Sequence, residues 1–160
     1  MYPKLKLIVQ DLPAVEDAFK KTVPSELATR ITFQAHDFFQ PQTVVANVYF
    51  MKAVLHDWPD EQASKILQAL VPALRPGARI ILCEGLAPPF DTEEWDSMPL
   101  VARQMLSALD LQMLVISNAK QRTVQDWKGL LALADSRLVL ANVFTLPSGT
   151  WAVLEVVFRS

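Results

Sequence analysis

Val44-Val45-Ala46-Asn47-Val48-Tyr49-Phe50-Met51 decides the fold class, because seven of these eight residues are apolar and Asn47 alone is polar. Such a run reads as a strand buried on both faces, the habit of a parallel sheet covered by helices. Lys52-Ala53-Val54-Leu55-His56-Asp57-Trp58-Pro59-Asp60-Glu61 follows it. Asp57, just before Pro59 and Asp60, predicts a helix N-cap. Ala63, Ile66, Leu67, Leu70 and Leu74 then recur at helical spacing until Arg75-Pro76-Gly77, with Pro72 predicting a distorted last turn. Residues 79–84 supply the next strand. Upstream, 4–10 and 30–35 read as strands around a helix over 13–21 that carries Val15, Ala18 and Phe19 on one stripe. Downstream come an apolar helix over 98–116 and an amphipathic one over 123–134 with Thr123 as N-cap. Strands over 138–146 and 151–158 close the chain across a hairpin loop at Pro147-Ser148-Gly149-Thr150. Alternating β and α elements ending in an antiparallel hairpin predict an α/β class with a mixed sheet, within one domain over 1–160.

Composition narrows the function classes. At 160 residues, 51% hydrophobic and 20% charged, the chain is built to fold around a core. Fifteen Lys+Arg against 17 Asp+Glu, without a block of like charge, excludes the basic footprint of a nucleic-acid binder. Cys83 is the single cysteine and cannot form an internal disulfide. Apolar stretches fall short of the ~18 residues a bilayer span needs, and the start lacks a signal-like pattern. The expectation is a soluble, cytoplasmic protein that binds neither nucleic acid nor membrane. The helix over 98–116 has only Arg103 and Asp110 as charges, so it needs cover on nearly every side and predicts a homodimer or heteromer. Gly77, Gly85, Gly129 and Gly149 never approach G-x-G, so these residues hold no glycine loop of the kind that cradles a phosphate or carboxylate.

In open α/β sheets, ligands sit beyond the carboxyl ends of the strands. Asp11, Asp37, residues 52–57 and Glu84 fall there, bringing the carboxylates of Asp11, Asp37 and Glu84, with Lys52 and His56, towards one crevice. Each has a plain alternative: Asp11 and Asp37 as turn residues, Asp57 as helix cap, Glu84 as a solvated carboxylate, His56 as filler. Taken together, His56 is the candidate base, since an imidazole exchanges protons near neutrality, and Glu84 is the candidate orienting acid. His36 reads as structural.

The run from Lys52 to Glu61 resembles the catalytic signature of the S-adenosylmethionine-dependent O-methyltransferases of plant phenolics and fungal secondary metabolites. Asp11-Leu12-Pro13 resembles that family's D-L-P, His36-Asp37-Phe38-Phe39 its G-D-[MF]-F, and Leu74-Arg75-Pro76-Gly77-Ala78-Arg79 its L-x-P-G-G-[RK] turn. Asp110-Leu111-Gln112-Met113-Leu114 and Gln121-Arg122-Thr123 resemble its D-x-x-M-L and E-R-T, so the likeness spans essentially the whole chain in order. It implies a Rossmann-like methyltransferase sheet and S-adenosylmethionine as cofactor. Asp11 would serve the cofactor ribose, Asp37 and Phe38 the adenine, and Lys52 would lie near the cofactor. His56 would deprotonate a phenol or enol hydroxyl, with Glu84 orienting it, Asp57 beside it, and Met113 and Gln121 facing the small-molecule substrate. No metal is implied.

Two departures qualify the resemblance. The family's V-D-x-G-G-G-x-G segment, with its first strand and helical dimerisation domain, would precede Tyr2 and is not among these residues, so the chain is expected to be the second half of an enzyme. Gln121 stands where the family has a second glutamate, and a neutral amide loses the charge that would stabilise an imidazolium. Three readings follow: an O-methyltransferase half completed by a missing segment or partner, a non-methylating cyclase, dehydratase or pericyclase using the same pocket, or a non-catalytic association module.

Overall fold

The computed structural model describes residues 4–89, 92–145 and 151–160. The chain divides into two compact units, Met1–Gln40 and Pro41–Ser160. In the first, β1 (Leu7–Asp11) and β2 (Ile31–Ala35) pair in parallel from Leu7↔Ile31 to Asp11↔Ala35. Residues 4–6 stay outside the expected strand because the ladder starts where the Leu7 N–H donates to the Arg30 carbonyl. Between the strands, Pro13–Val15 makes a 3₁₀ turn, with Pro13 tolerated where no N–H is needed, and α1 (Glu16–Thr22) follows. Its Phe19 packs on Phe33 of β2 with ring centroids 5.3 Å apart.

The second unit is built on a four-stranded sheet of order β3-β4-β6-β5. β3 (Val48–Lys52) runs parallel to β4 (Arg79–Gly85), while β6 (Trp151–Phe158) is antiparallel to both β4 and β5 (Leu138–Thr145). The sheet is mixed, as the alternation of elements implied. The opening stretch behaves differently from its reading. Only Val48 onward is strand, because the Tyr49 hydroxyl binds the Val44 carbonyl and the Ala46 N–H, diverting those backbone groups from any ladder. Nor is β3 buried on both faces. Tyr49 is 8% exposed, but Val48 and Phe50, on the opposite face, are 52% and 65% exposed. β3 is also an edge strand, paired with β4 on one side.

The core lies along one row of alternate residues. Ile80, Leu82 and Glu84 of β4 stand opposite Val156, Leu154 and Ala152 of β6, and all six are buried. α2 (Asp60–Leu70) buries Ala63, Ile66, Leu67 and Leu70, then tightens at Pro72 into a 3₁₀ turn, Val71–Ala73. α5 (Val124–Ala134) packs against α2 and β5 and buries Trp127, Leu130 and Leu131. Its start is a capping box in which Thr123 and Asp126 satisfy each other's backbone N–H groups. The short α3 (Glu93–Ser97) precedes α4 (Leu100–Ser117), which ends on Asn118 in the left-handed region at φ 51°. α4 buries Leu106 alone, leaving Val101, Leu111, Val115 and Ile116 more than 60% exposed. Contrary to the expectation from apolar run lengths, its 18 residues, of mean hydropathy 1.3, are long and apolar enough to cross a membrane by length and composition. The hairpin loop expected at 147–150 lies outside the described residues.

Candidate functional site

Three of the expected cofactor residues belong to the first unit. Asp11 ends β1, and its backbone carbonyl accepts from the His36 N–H, one residue beyond β2. Asp37 therefore stands at the same sheet end as Asp11. Each uses one carboxylate oxygen locally, Asp11 Oδ1 accepting from the Leu12 N–H at 2.7 Å and Asp37 Oδ1 from the Phe39 N–H at 3.0 Å. These are the turn contacts of the plain reading, and each leaves a second carboxylate oxygen. Phe38, 37% exposed, meets Phe39 edge-on at 5.1 Å. Two acceptor carboxylates and an exposed aromatic ring at one sheet end fit a nucleoside, whose hydroxyl and amino groups donate and whose base is a flat apolar surface.

The second unit carries the candidate chemistry. Lys52 is the last residue of β3 and is exposed. Ala53 follows in the left-handed region, at φ 52°, a conformation that costs an alanine about 1–2 kcal/mol. It is held there by its own N–H on the Cys83 carbonyl and by the following turn. That turn, Leu55–Asp57, is a single 3₁₀ turn anchored by Leu55, which is fully buried. Glu84 reaches under it from β4, Oε1 accepting from the N–H groups of Val54 at 3.1 Å and Leu55 at 2.9 Å.

Glu84 is therefore not the solvated carboxylate of the plain alternative. Strand alternation turns it inward behind Ile80 and Leu82, and none of its surface is exposed. Burial pushes its carboxyl above the ordinary carboxylate value, opposed by the N–H groups of Leu55 and Val54 and by the charge of His56. Its second oxygen, Oε2, has no hydrogen-bond partner among the described residues and lies 3.7 Å from His56 Nδ1. On the other side of the imidazole, His56 Nε2 is 3.3 Å from Asp57 Oδ1.

Asp57 is available for that contact because it is not the cap of α2. Pro59 occupies the N-cap position, no side chain caps the helix, and Asp57 closes the 3₁₀ turn instead. The imidazole is mostly covered, its side chain 17% exposed, while Asp57 remains 53% exposed. The two carboxylates beside the ring thus differ in kind, Glu84 buried and held by two N–H groups and Asp57 half-exposed to water.

Sequence reasoning assigned no role to two neighbours. Trp151, the first residue of β6, pairs with Gly85, and its ring centroid lies 5.9 Å from that of His56. Arg122 is 1% exposed and donates to the carbonyls of Leu55 and Trp58, each at 2.7 Å. Arg122 stands inside the Gln121-Arg122-Thr123 match, but nothing local announces its partners, which lie more than 60 residues away along the chain, and no local pattern announces Trp151.

Gln121 lies against β4, where a Cβ on Gly85 would collide with its Oε1, so glycine at 85 is what lets the carboxamide approach the strand end. Its backbone N–H donates to Asp110 of α4 at 2.8 Å. Met113, also on α4, is partly buried, and the helix touches the Leu55–Asp57 turn. The structure thus groups Asp11, Asp37 and Phe38 in one unit and His56, Asp57 and Glu84 in the other, which also holds Lys52 at the end of β3. Among the described residues, no cluster of His, Cys, Asp and Glu could hold a metal ion.

Residues 1–135 match the family model described as an O-methyltransferase domain. The grayanic acid biosynthesis cluster O-methyltransferase of Cladonia grayi is 38% identical over 160 residues, spanning 99% of this chain and 34% of its own length. Among solved structures, LepI in complex with SAM superposes with a TM-score of 0.83 at 30% identity, covering 99% of this chain and 38% of LepI. A structure described as a pericyclic reaction enzyme gives 0.81 at 30% identity over the same shares. The chain spans little more than a third of these proteins' lengths.

Proposed function

The chain belongs to the O-methyltransferase domain family, and on that premise we propose that it is the proton-handling part of an S-adenosylmethionine-dependent O-methyltransferase, acting on a hydroxyl of a small aromatic or polyketide-like metabolite. One observation carries the reading, namely an imidazole set against a fully buried carboxylate whose second oxygen has no other partner. Glu84 favours the tautomer with hydrogen on Nδ1, which leaves Nε2 as the lone-pair nitrogen. Nε2 then takes the acceptor hydroxyl's proton, with the exposed Asp57 giving way to the incoming group. The Nδ1–H of the resulting imidazolium faces Glu84, so the positive charge forms where a negative one is already fixed.

Asp11 and Asp37 would hold the hydroxyl and amino groups of the cofactor's nucleoside, Phe38 its base, and Lys52 would stand nearby. When bound, S-adenosylmethionine supplies an activated sulfonium methyl group. What remains for the protein is to align the deprotonated oxygen and exclude water, and the mostly covered imidazole of His56 suits that task. His56→Ala tests the proposal. Labelled methyl transfer to a panel of phenolic and enolic acceptors should fall by about 10²–10⁴-fold, and unchanged transfer would remove His56 from the mechanism.

A second reading is favoured by the likeness to the pericyclic reaction enzyme. The same His56–Glu84 pair would then donate or accept a hydrogen bond during a cyclisation or dehydration without methyl transfer. Product formation that needs His56 but incorporates no labelled methyl group selects this reading. Calorimetric titration with S-adenosylhomocysteine reports separately on cofactor binding by these 160 residues.

A further inference from the structure

The His56 turn is gripped from two sides. Glu84 takes the N–H groups on one side of it, and Arg122 takes the carbonyls on the other. We infer that Arg122 is the positioning residue of this turn, its guanidinium fixing the two carbonyls that bracket His56-Asp57 and so fixing the imidazole against Glu84. The role in catalysis rests on the reading of His56 as the base. The placement of the ring does not.

Every nitrogen of the guanidinium is engaged. Nη1 donates to the Leu55 carbonyl and Nη2 to the Trp58 carbonyl, both at 2.7 Å, while Nε and Nη2 each lie 2.8 Å from Asp60 Oδ1. Its carbon lies 5.2 Å from the Trp127 ring centroid. Asp60 in turn faces Lys120 at 3.8 Å, and Lys120 reaches Asp126 at 2.6 Å. Arg122's own backbone is tied to the segment that directly follows the strand carrying Glu84. It bridges Leu86, and its carbonyl accepts from the Ala87 N–H. The contacts therefore run from Glu84 through the turn to Arg122 and back to the residues just after β4.

Stability alone does not account for this arrangement. Burying a guanidinium costs desolvation that a well-packed apolar side chain would avoid. A planar fork, however, can hold two carbonyls and a carboxylate in one fixed geometry, which a lysine's single ammonium cannot do. The groups spent on Arg122 are the two carbonyls flanking the candidate base, so the return for that burial is a defined position of the ring.

The test uses the 160-residue chain and needs no substrate. The chain has two histidines, so His36→Gln assigns their ring resonances. In Arg122→Lys, with its helical circular dichroism retained, the His56 ring resonance should move and broaden as the ring leaves its place beside Trp151. The Val54 and Leu55 amides should exchange at least about tenfold faster, while the His36 resonance stays in place. A folded Arg122→Lys chain with unchanged His56 resonance and unchanged exchange overturns the inference. If Arg122→Lys does not fold, Asp60→Ala decides the matter, because from a half-exposed position it removes the oxygen that both Nε and Nη2 hold. A displaced His56 resonance supports the inference and an undisturbed one overturns it. In the active enzyme, Arg122→Lys should lower kcat with little change in KM. Should His56→Ala retain full activity, the catalytic reading fails while the resonance and exchange results still decide the positioning role.

Discussion

Replacing Glu84 by glutamine removes a charge and leaves the shape. The carboxamide oxygen can still accept from Val54 and Leu55, so the turn keeps the bonds now 3.1 and 2.9 Å long. The atom that changes is Oε2, 3.7 Å from His56 Nδ1, which becomes an NH₂ donor. A unit charge pair at that distance interacts by about 4 kcal/mol at an effective dielectric near 20. Burial of the carboxylate offsets part of this, so between two and three powers of ten in turnover are at stake, at ~1.4 kcal/mol for each tenfold. Labelled methyl transfer by wild type and Glu84→Gln, with cofactor and acceptor saturating, measures the loss. A variant whose turnover stays within about threefold of wild type, about 0.7 kcal/mol, would refute the claim that Glu84 stabilises a charged His56. Stability gives a second reading of the same group. The folded-state carboxyl titrates above its unfolded value, so the folded chain holds the proton more tightly. Its contribution is fully present below the ordinary carboxylate value and is lost as pH rises through the raised one. Glutamine mimics the protonated form and has no such loss. Thermal melting from acid to neutral pH should therefore show wild type falling progressively behind Glu84→Gln, and a constant difference in Tm would contradict it.

Three further outcomes are expected. Trp151→Leu removes the ring 5.9 Å from His56 and should lower turnover by about fivefold, the rate equivalent of ~1 kcal/mol of cation–π stabilisation, with the fold intact by circular dichroism. Ala53→Gly relieves a left-handed alanine and should raise stability by up to about 1 kcal/mol in a urea melt. Association through α4, which we propose from its bare apolar surface, should be abolished by the double change Leu111→Glu and Val115→Glu. Light scattering that gives the same mass with and without those charges would sink that proposal.

How far the sequence could be read depended on the range of the interactions involved. Helices α2 and α5 were legible because their period, Pro72 and the Thr123 cap of α5 act within a few residues, and Thr123 does form its capping box. The motif around His56 was likewise local. Burial and partnership were not. Val48 and Phe50 are as apolar as a buried strand requires, yet nothing described covers them, because exposure is decided by what packs on a face. Asp57 looked like a helix cap from its spacing, but Pro59 took that position and left Asp57 beside His56.

By itself, then, the sequence determined the α/β class, the order of elements and the identity of the candidate base and its acid, since periodicity, turn chemistry and a contiguous motif are properties of neighbouring residues. Only the tertiary structure decided that Glu84 is sealed from water, that Trp151 stands beside the imidazole, and that Arg122 clamps the turn. Those facts arise from residues tens of positions apart meeting in a low-dielectric interior, where a single unpaired oxygen or a buried guanidinium acquires its meaning.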